Sequence, residues 1–220
     1  WAIAKQPCSS GFDTTFQFRL GNLGGLPGVP VGGDGFLFAV QKIGPTNPNC
    51  YGVGSPADGS VSVLYNTFWN WPDSTDFTLW DISGNSVGVH LNGRYLAQTD
   101  LTPRGINLED GAVHNSRIAF DGTGLTVWLD GVIVLTNVPV PGLATAVDAS
   151  GQAWVGFGAG TGWAWDTPDI LSWSFGGTSL NHPPVAQCAD AIVSPGANCQ
   201  ANASINNGSF DPDGDPITVR

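Results

Sequence analysis

Val63-Leu64-Tyr65-Asn66-Thr67-Phe68-Trp69-Asn70 runs from an apolar segment straight into a loop crowded with oxygen-bearing and aromatic side chains. Val61 to Thr67 has the β-branched and aromatic content of a strand. Asn66, Asn70, Asp73, Asp76 and Asp81 then offer hard oxygen ligands of the kind that suit calcium, and Trp69, Trp71 and Trp80 offer flat apolar faces. A strand opening into such a loop predicts a site for a ligand that is polar but carries an apolar face.

The strand pattern repeats on both sides. Thr14 to Leu20, Phe36 to Val40, Val87 to Leu91, Val113 to Phe120, Leu125 to Asp130, Val132 to Thr136, Trp154 to Phe157 and Ile170 to Phe175 are short apolar or alternating runs bounded by turn formers. Asn92-Gly93, Asp121-Gly122 and Asp130-Gly131 are turn signals between them. With 31 Gly, 16 Pro and no run at helical spacing, the chain reads as all-β, a sandwich or a barrel. Trp128, Trp154 and Trp173 fall on these strands and are expected in the core; Trp69, Trp71, Trp80, Trp163 and Trp165 fall in loops.

Seven Lys and Arg against 18 Asp and Glu leave a net charge of −11, which argues against nucleic acid and anionic membranes as partners. No apolar stretch is long enough to insert into a membrane. The four cysteines form no C-x-x-C pair. Two disulfides, Cys8–Cys50 and Cys188–Cys199, are expected, and with them a secreted or cell-surface location. His90, His114 and His182 are scattered and predict no zinc site.

A boundary follows Phe175, where small polar residues lead into Asn181-His182-Pro183-Pro184. The expected organisation is a sandwich domain over 1–177, a linker over 178–185 and a short β-rich tail over 186–220. Asp211-Pro212-Asp213-Gly214-Asp215 in the tail alternates carboxylates that can converge on one cation, or form a solvated acidic turn.

Four segments, in order, resemble the legume-type (L-type) lectin family in its bacterial, lectin-like form. They are Gly33-Asp34-Gly35-Phe36-Leu37-Phe38, the Val63–Asn70 stretch, Leu125-Thr126-Val127-Trp128-Leu129-Asp130-Gly131 after Asp121-Gly122, and Val155-Gly156-Phe157-Gly158-Ala159-Gly160-Thr161-Gly162 with Asp169–Phe175 after it. The resemblance implies a concanavalin-like (jelly-roll) sandwich of antiparallel sheets. It implies that Asp34, after a cis Gly33–Asp34 bond, accepts hydrogen bonds from sugar hydroxyls. Asn70 would bond both calcium and sugar. Phe68 would give its carbonyl to calcium and its ring to the sugar. A backbone N–H would come from Gly52, Gly54 or Gly59, and Trp163 and Trp165 would face the ligand. The tail resembles the start of an immunoglobulin- or cadherin-like repeat, with Asp211, Asp213 and Asp215 in its calcium-associated turn.

Departures from the family pattern are equally specific. Leu64 and Ser86 stand where the transition-metal glutamate and histidine belong, so the manganese site is expected to be lost. Asn66 replaces the aspartate that bridges the two metals. Calcium would then be held by Asn66, the Phe68 carbonyl, Asn70 and either Asp81 or Asp73. Glu109 is the single glutamate, whereas glycoside hydrolysis needs two carboxylates flanking the scissile bond, so catalysis is not expected. The expected function is a calcium-assisted carbohydrate-binding module for a glycan or polysaccharide. The alternative is a structural adhesin or filament subunit that self-associates through its tail, with Ile217 to Val219 as a strand completing a neighbour's sheet.

Overall fold

Period-two alternation builds the scaffold. In Phe12-Asp13-Thr14-Thr15-Phe16-Gln17-Phe18-Arg19-Leu20, every second side chain from Phe12 is buried and the intervening ones face outward. The computed structural model describes residues 3–28, 32–44, 50–51, 55–56, 59–70, 80–141, 143–177, 185–210 and 217–218. In chain order the strands are β1 (Ile3–Pro7), β2 (Phe12–Gly25), β3 (Gly35–Gln41), β4 (Cys50–Tyr51), β5 (Ser55–Pro56), β6 (Ser60–Asn66), β7 (Ser86–Leu91), β8 (Arg94–Asp100), β9 (His114–Phe120), β10 (Gly124–Leu129), β11 (Val132–Pro139), β12 (Gln152–Ala159) and β13 (Ala164–Gly177). One helical turn, α1 (Leu143–Ala146), precedes β12.

Two antiparallel sheets face each other. The first has the order β1-β12-β3-β6-β7-β8, the second β11-β10-β9-β2-β13, and β4 and β5 form a small separate ribbon. The protein is thus the expected all-β jelly-roll sandwich. Its core is aromatic: Phe36 stacks on Tyr65 at 4.7 Å, Phe18 meets Phe36 edge-on at 4.8 Å and Phe16 meets Phe157 at 4.9 Å. Tyr65 is fully buried, and its hydroxyl is satisfied across the sandwich by Ser116.

β3 and β6 are buried on both faces. Phe36, Phe38, Val63 and Tyr65 point into the core, while Leu37, Ala39 and Leu64 form a second small cluster that Tyr95 covers. The hairpins close as predicted: Asn92 and Gly93 have φ of 53° and 75°, and Asp130 and Gly131 have 50° and 79°, the positive pair that a two-residue turn between antiparallel strands requires. β1 and β8 are edge strands with mixed polarity, and for that reason the hydrophobic pattern does not reveal them.

Two tryptophan expectations change. Trp128 lies between buried Val127 and Leu129, so it points outward, where the Arg117 guanidinium sits 4.6 Å above its ring. Trp154 is likewise flanked by buried Ala153 and Val155. Of the three strand tryptophans, only Trp173 packs against the core, donating from Nε1 to Thr14 at 2.9 Å.

The chain divides into two compact units, Trp1–Thr178 and Ser179–Arg220. In the second, the described residues form two isolated bridges, Val185 with Phe210 and Cys188 with Asn206, and Ile217 and Thr218 belong to no strand. No disulfide is seen among the described residues, where Cys8, Cys188 and Cys199 carry free thiols; the Cys50 side chain lies outside them. Cys8 is enclosed by the sandwich, and burial pushes its thiol up to about 12. Cys188 and Cys199 are each held by local backbone pairing, Cys199 N–H donating to Gly196 at 2.9 Å.

Candidate functional site

Three loops at one end of the six-stranded sheet meet at Asp34. Its backbone N–H donates to Gly160 O at 3.2 Å, and its carbonyl accepts from Thr67 N–H at 3.3 Å, so it is tied to the loop after β12 and to the exit of β6. The Gly33–Asp34 peptide is cis. Gly33 has φ +148°, and a Cβ there would lie 2.9 Å from that of Phe68, so glycine lets the chain press against the Phe68 side chain. Gly162 faces the carboxylate; a Cβ on it would stand 3.7 Å from Asp34 Oδ2. Half-burial, reinforced by the charges of Asp81 and Asp166, raises the Asp34 carboxyl above its ordinary value.

Around this centre the exposed surface is aromatic. Trp163 is 73% exposed, Trp69 49% and Trp165 43%. Trp165 falls on the first residues of β13 rather than in a loop and packs its indole against Gly24, and the Trp163 carbonyl accepts from Leu26 N–H at 2.9 Å, so the loop before β13 and the start of that strand are anchored to the end of β2.

The loop leaving β6 is fastened to residues 80–86. The buried Asn66 donates from Nδ2 to Phe68 O at 2.9 Å and to Ser83 O at 2.8 Å. Asn70 donates from its backbone N–H and its Nδ2 to Asp81 Oδ2, at 3.0 and 3.1 Å. The Tyr95 hydroxyl donates to Asp81 Oδ1 at 2.7 Å, and Trp69 Nε1 to Asp81 O at 3.1 Å. Burial first, then the Asp81 charge, pushes the Tyr95 phenol well above its ordinary range. Tyr95 reaches Asp81 because Gly88 has no side chain: a Cβ there would lie 2.2 Å from the Tyr95 ring.

Asn66, Phe68, Asn70 and Asp81, which the sequence singled out, therefore do meet, with Asp34 beside them. Gly54, Asp73, Asp211, Asp213 and Asp215 lie outside the described residues. The sequence reading missed Tyr95, Ser83 and Asp166. Asp166 accepts from Thr67 Oγ1 at 2.7 Å and from the Gly33 N–H, and burial raises its carboxyl overall. Glu109 lies against Gly32 and feels the Asp166 charge; burial above all raises its carboxyl to about 7. The signal for Tyr95 was available in the Asn92-Gly93 hairpin, whose register sets it opposite His90 and next to Gly88.

The fit of a calcium ion can be judged from these donors. Calcium takes six to eight oxygens, several of them carboxylate. Here Asn66 turns its NH2, a donor, toward Phe68 O, the carbonyl a cation would draw. Turning that amide over would set its oxygen against the carbonyls of Phe68 and Ser83, with no donor between them. Both oxygens of Asp81 already accept hydrogen bonds. Among the described residues, no three His, Cys, Asp or Glu side chains converge to hold a metal. Leu64 is packed with Leu37 and Ala39, and Ser86 Oγ donates to Ser83 O at 3.1 Å, so neither serves a transition metal. Among the described residues, the donor set does not fit the calcium that the resemblance implied; Asp73, the alternative carboxylate, lies outside them.

Residues 2–188 match the family described as legume lectin domain. Among curated proteins, the chain is 29% identical over 180 residues to the L-type lectin-domain containing receptor kinase VIII.2 of Arabidopsis thaliana, covering 78% of this chain and 24% of that one. The chain spans about a quarter of the length of the curated relatives it matches. Among solved structures, basic winged bean lectin with Tn-antigen is 25% identical with a TM-score of 0.58, covering 75% of this chain and 70% of that one. Winged bean acidic lectin complexed with methyl-α-D-galactose is 26% identical with a TM-score of 0.57, covering 75% and 69%.

Proposed function

This chain belongs to the legume lectin domain family, and on that premise we propose that it binds glycans at the loops around Asp34 as a secreted or surface-displayed module. The observation that carries this is the Asp34 carboxylate itself, fixed through its backbone to two other loops and flanked by the loop that bears the exposed Trp163. A fixed carboxylate accepts hydrogen bonds from two vicinal hydroxyls, which gives orientation and specificity. Trp163 and Trp165 supply the flat faces on which the C–H side of a sugar ring stacks, and Phe68, half-buried against Gly33, forms the floor. Asn70 keeps its Oδ1 for the ligand while its nitrogens hold Asp81.

Catalysis is no part of this function, since the family is a non-catalytic one. Nor is calcium given a role, because Asn66 turns its NH2 to the Phe68 carbonyl and both oxygens of Asp81 are taken by Tyr95 and Asn70. Two of the relatives were solved with Tn-antigen and methyl-α-D-galactose, which makes galactosides sensible first probes. Surface display is supported by lectin domains of the same family within receptor kinases. Among the described residues, no helix is long and apolar enough to cross a membrane. No observation in the tail unit favours the assembly alternative.

A glycan array probed with the full chain and with Asp34→Asn tests the site. Binding to at least one glycan class, lost by more than tenfold in the variant, is the expected result. An array on which the two proteins are indistinguishable would overturn it.

A further inference from the structure

The Phe68 and Ser83 carbonyls and both oxygens of Asp81, which a cation would draw together in this site, face N–H or O–H donors instead. The Asn66 NH2 directs its two hydrogens at carbonyls from two different segments, Phe68 O at 2.9 Å and Ser83 O at 2.8 Å. Ser83 O receives a further donor, Ser86 Oγ, at 3.1 Å. The Asp81 carboxylate is met by three donors, Tyr95 O–H on one oxygen and the Asn70 N–H and Nδ2 on the other. A carboxylate at position 66 could not make this arrangement, because it has no hydrogen to give two carbonyls.

The replacement is coordinated with the neighbouring departure from the family. Leu64 builds an apolar cluster with Leu37 and Ala39, and the Tyr95 ring covers that cluster over the bare Gly88. The same packing delivers the Tyr95 hydroxyl to Asp81. Leu64 and Asn66 thus act together: the first seats the ring whose hydroxyl compensates Asp81, and the second closes the carbonyls.

We propose that the Asn66 side-chain amide takes the place of the cation, tying the loop that carries Asn70 to residues 80–86, so that the site assembles without a divalent metal. The consequence for sugar binding rests on the function proposed above; loop closure does not, and it is read separately.

The test compares the full chain with Asn66→Asp by thermal unfolding and by titration calorimetry with calcium chloride, and in parallel with manganese chloride. For the wild type, an unchanged Tm in EDTA and in calcium, with no binding heat, is expected. In Asn66→Asp the carboxylate meets two carbonyl oxygens, so its Tm should fall by roughly 4–8 °C in EDTA and recover when calcium is added. A wild type that binds either ion, or whose Tm rises with it, would overturn the proposal. So would an Asn66→Asp protein as stable in EDTA as the wild type. If that variant does not fold, the wild-type calorimetry alone decides. Glycan binding, measured on the same samples, should survive EDTA; loss of binding in EDTA overturns the proposal, whereas no glycan binding under any condition sinks the lectin function and leaves the Tm and calorimetric comparison to decide on the amide.

Discussion

The Thr67 hydroxyl donates to Asp166 Oδ2 at 2.7 Å, joining residues 99 apart in sequence. Asp166 also accepts the Gly33 N–H, so one carboxylate ties the start of β13 to the turn before Asp34 and to the exit of β6. We predict that Thr67→Val, which leaves this buried acceptor without its side-chain donor, costs about 1–2 kcal/mol of stability. Denaturant midpoints measure the cost. Glycan affinity should fall in the same variant, since Asp34 loses part of its support; unchanged midpoint and affinity together would show that the bond contributes nothing.

Tyr95→Phe keeps the ring over Gly88 and removes only the hydroxyl that meets Asp81. Hydrogen bonds to a charged group contribute more than neutral ones, so a loss of about 1.5–3 kcal/mol is expected. Urea unfolding of the two proteins would reveal it, and a difference below the measurement error would remove Tyr95 from the network.

Trp163, 73% exposed, should separate binding from folding. Trp163→Ala is expected to leave stability within about 0.5 kcal/mol and to weaken glycan binding markedly. A variant that unfolds easily, or one that binds as the wild type does, would contradict a stacking role.

Glu109 makes a pH prediction whose sign is fixed. Burial, assisted by Asp166, raises its carboxyl from 4.5 to about 7, so between those values the folded chain holds a proton that the unfolded chain has lost. Its contribution to stability therefore declines as pH rises through that interval and is flat outside it. His90 acts at the acid end: burial lowers it from 6.5 to about 4, so stability falls as pH drops across that range. In Glu109→Gln the decline toward neutral pH should shrink, with a residual slope from Asp34 and Asp166, both raised by burial. Unfolding midpoints at a series of pH values would test this, and an identical profile for the variant would reject it.

Much of the fold is written locally. The alternation from Phe12 to Leu20 states which side chains go inside, and Asn92-Gly93 and Asp130-Gly131 state where hairpins turn, because backbone conformation and face are set within a few residues. Local pattern also errs: Trp128 and Trp154 are apolar enough for a core, yet their buried neighbours put them on the outer face. The edge strands β1 and β8 were silent, since a strand with one open side needs little apolar content.

Residue types and their order along the chain were enough to name Asp34, Asn66, Phe68, Asn70 and Asp81 as the residues of the proposed site, and to show that Leu64 and Ser86 are not the glutamate and histidine of a transition-metal site. Only the tertiary structure decided what they do together. Which atom of the Asn66 amide faces Phe68 O, and which oxygen of Asp81 meets Tyr95 or Asn70, follows from carbonyls and rings brought up by other strands. A side-chain amide carries both a donor and an acceptor, and its surroundings choose between them. That choice turns a loop composed like a cation site into one closed by hydrogen bonds.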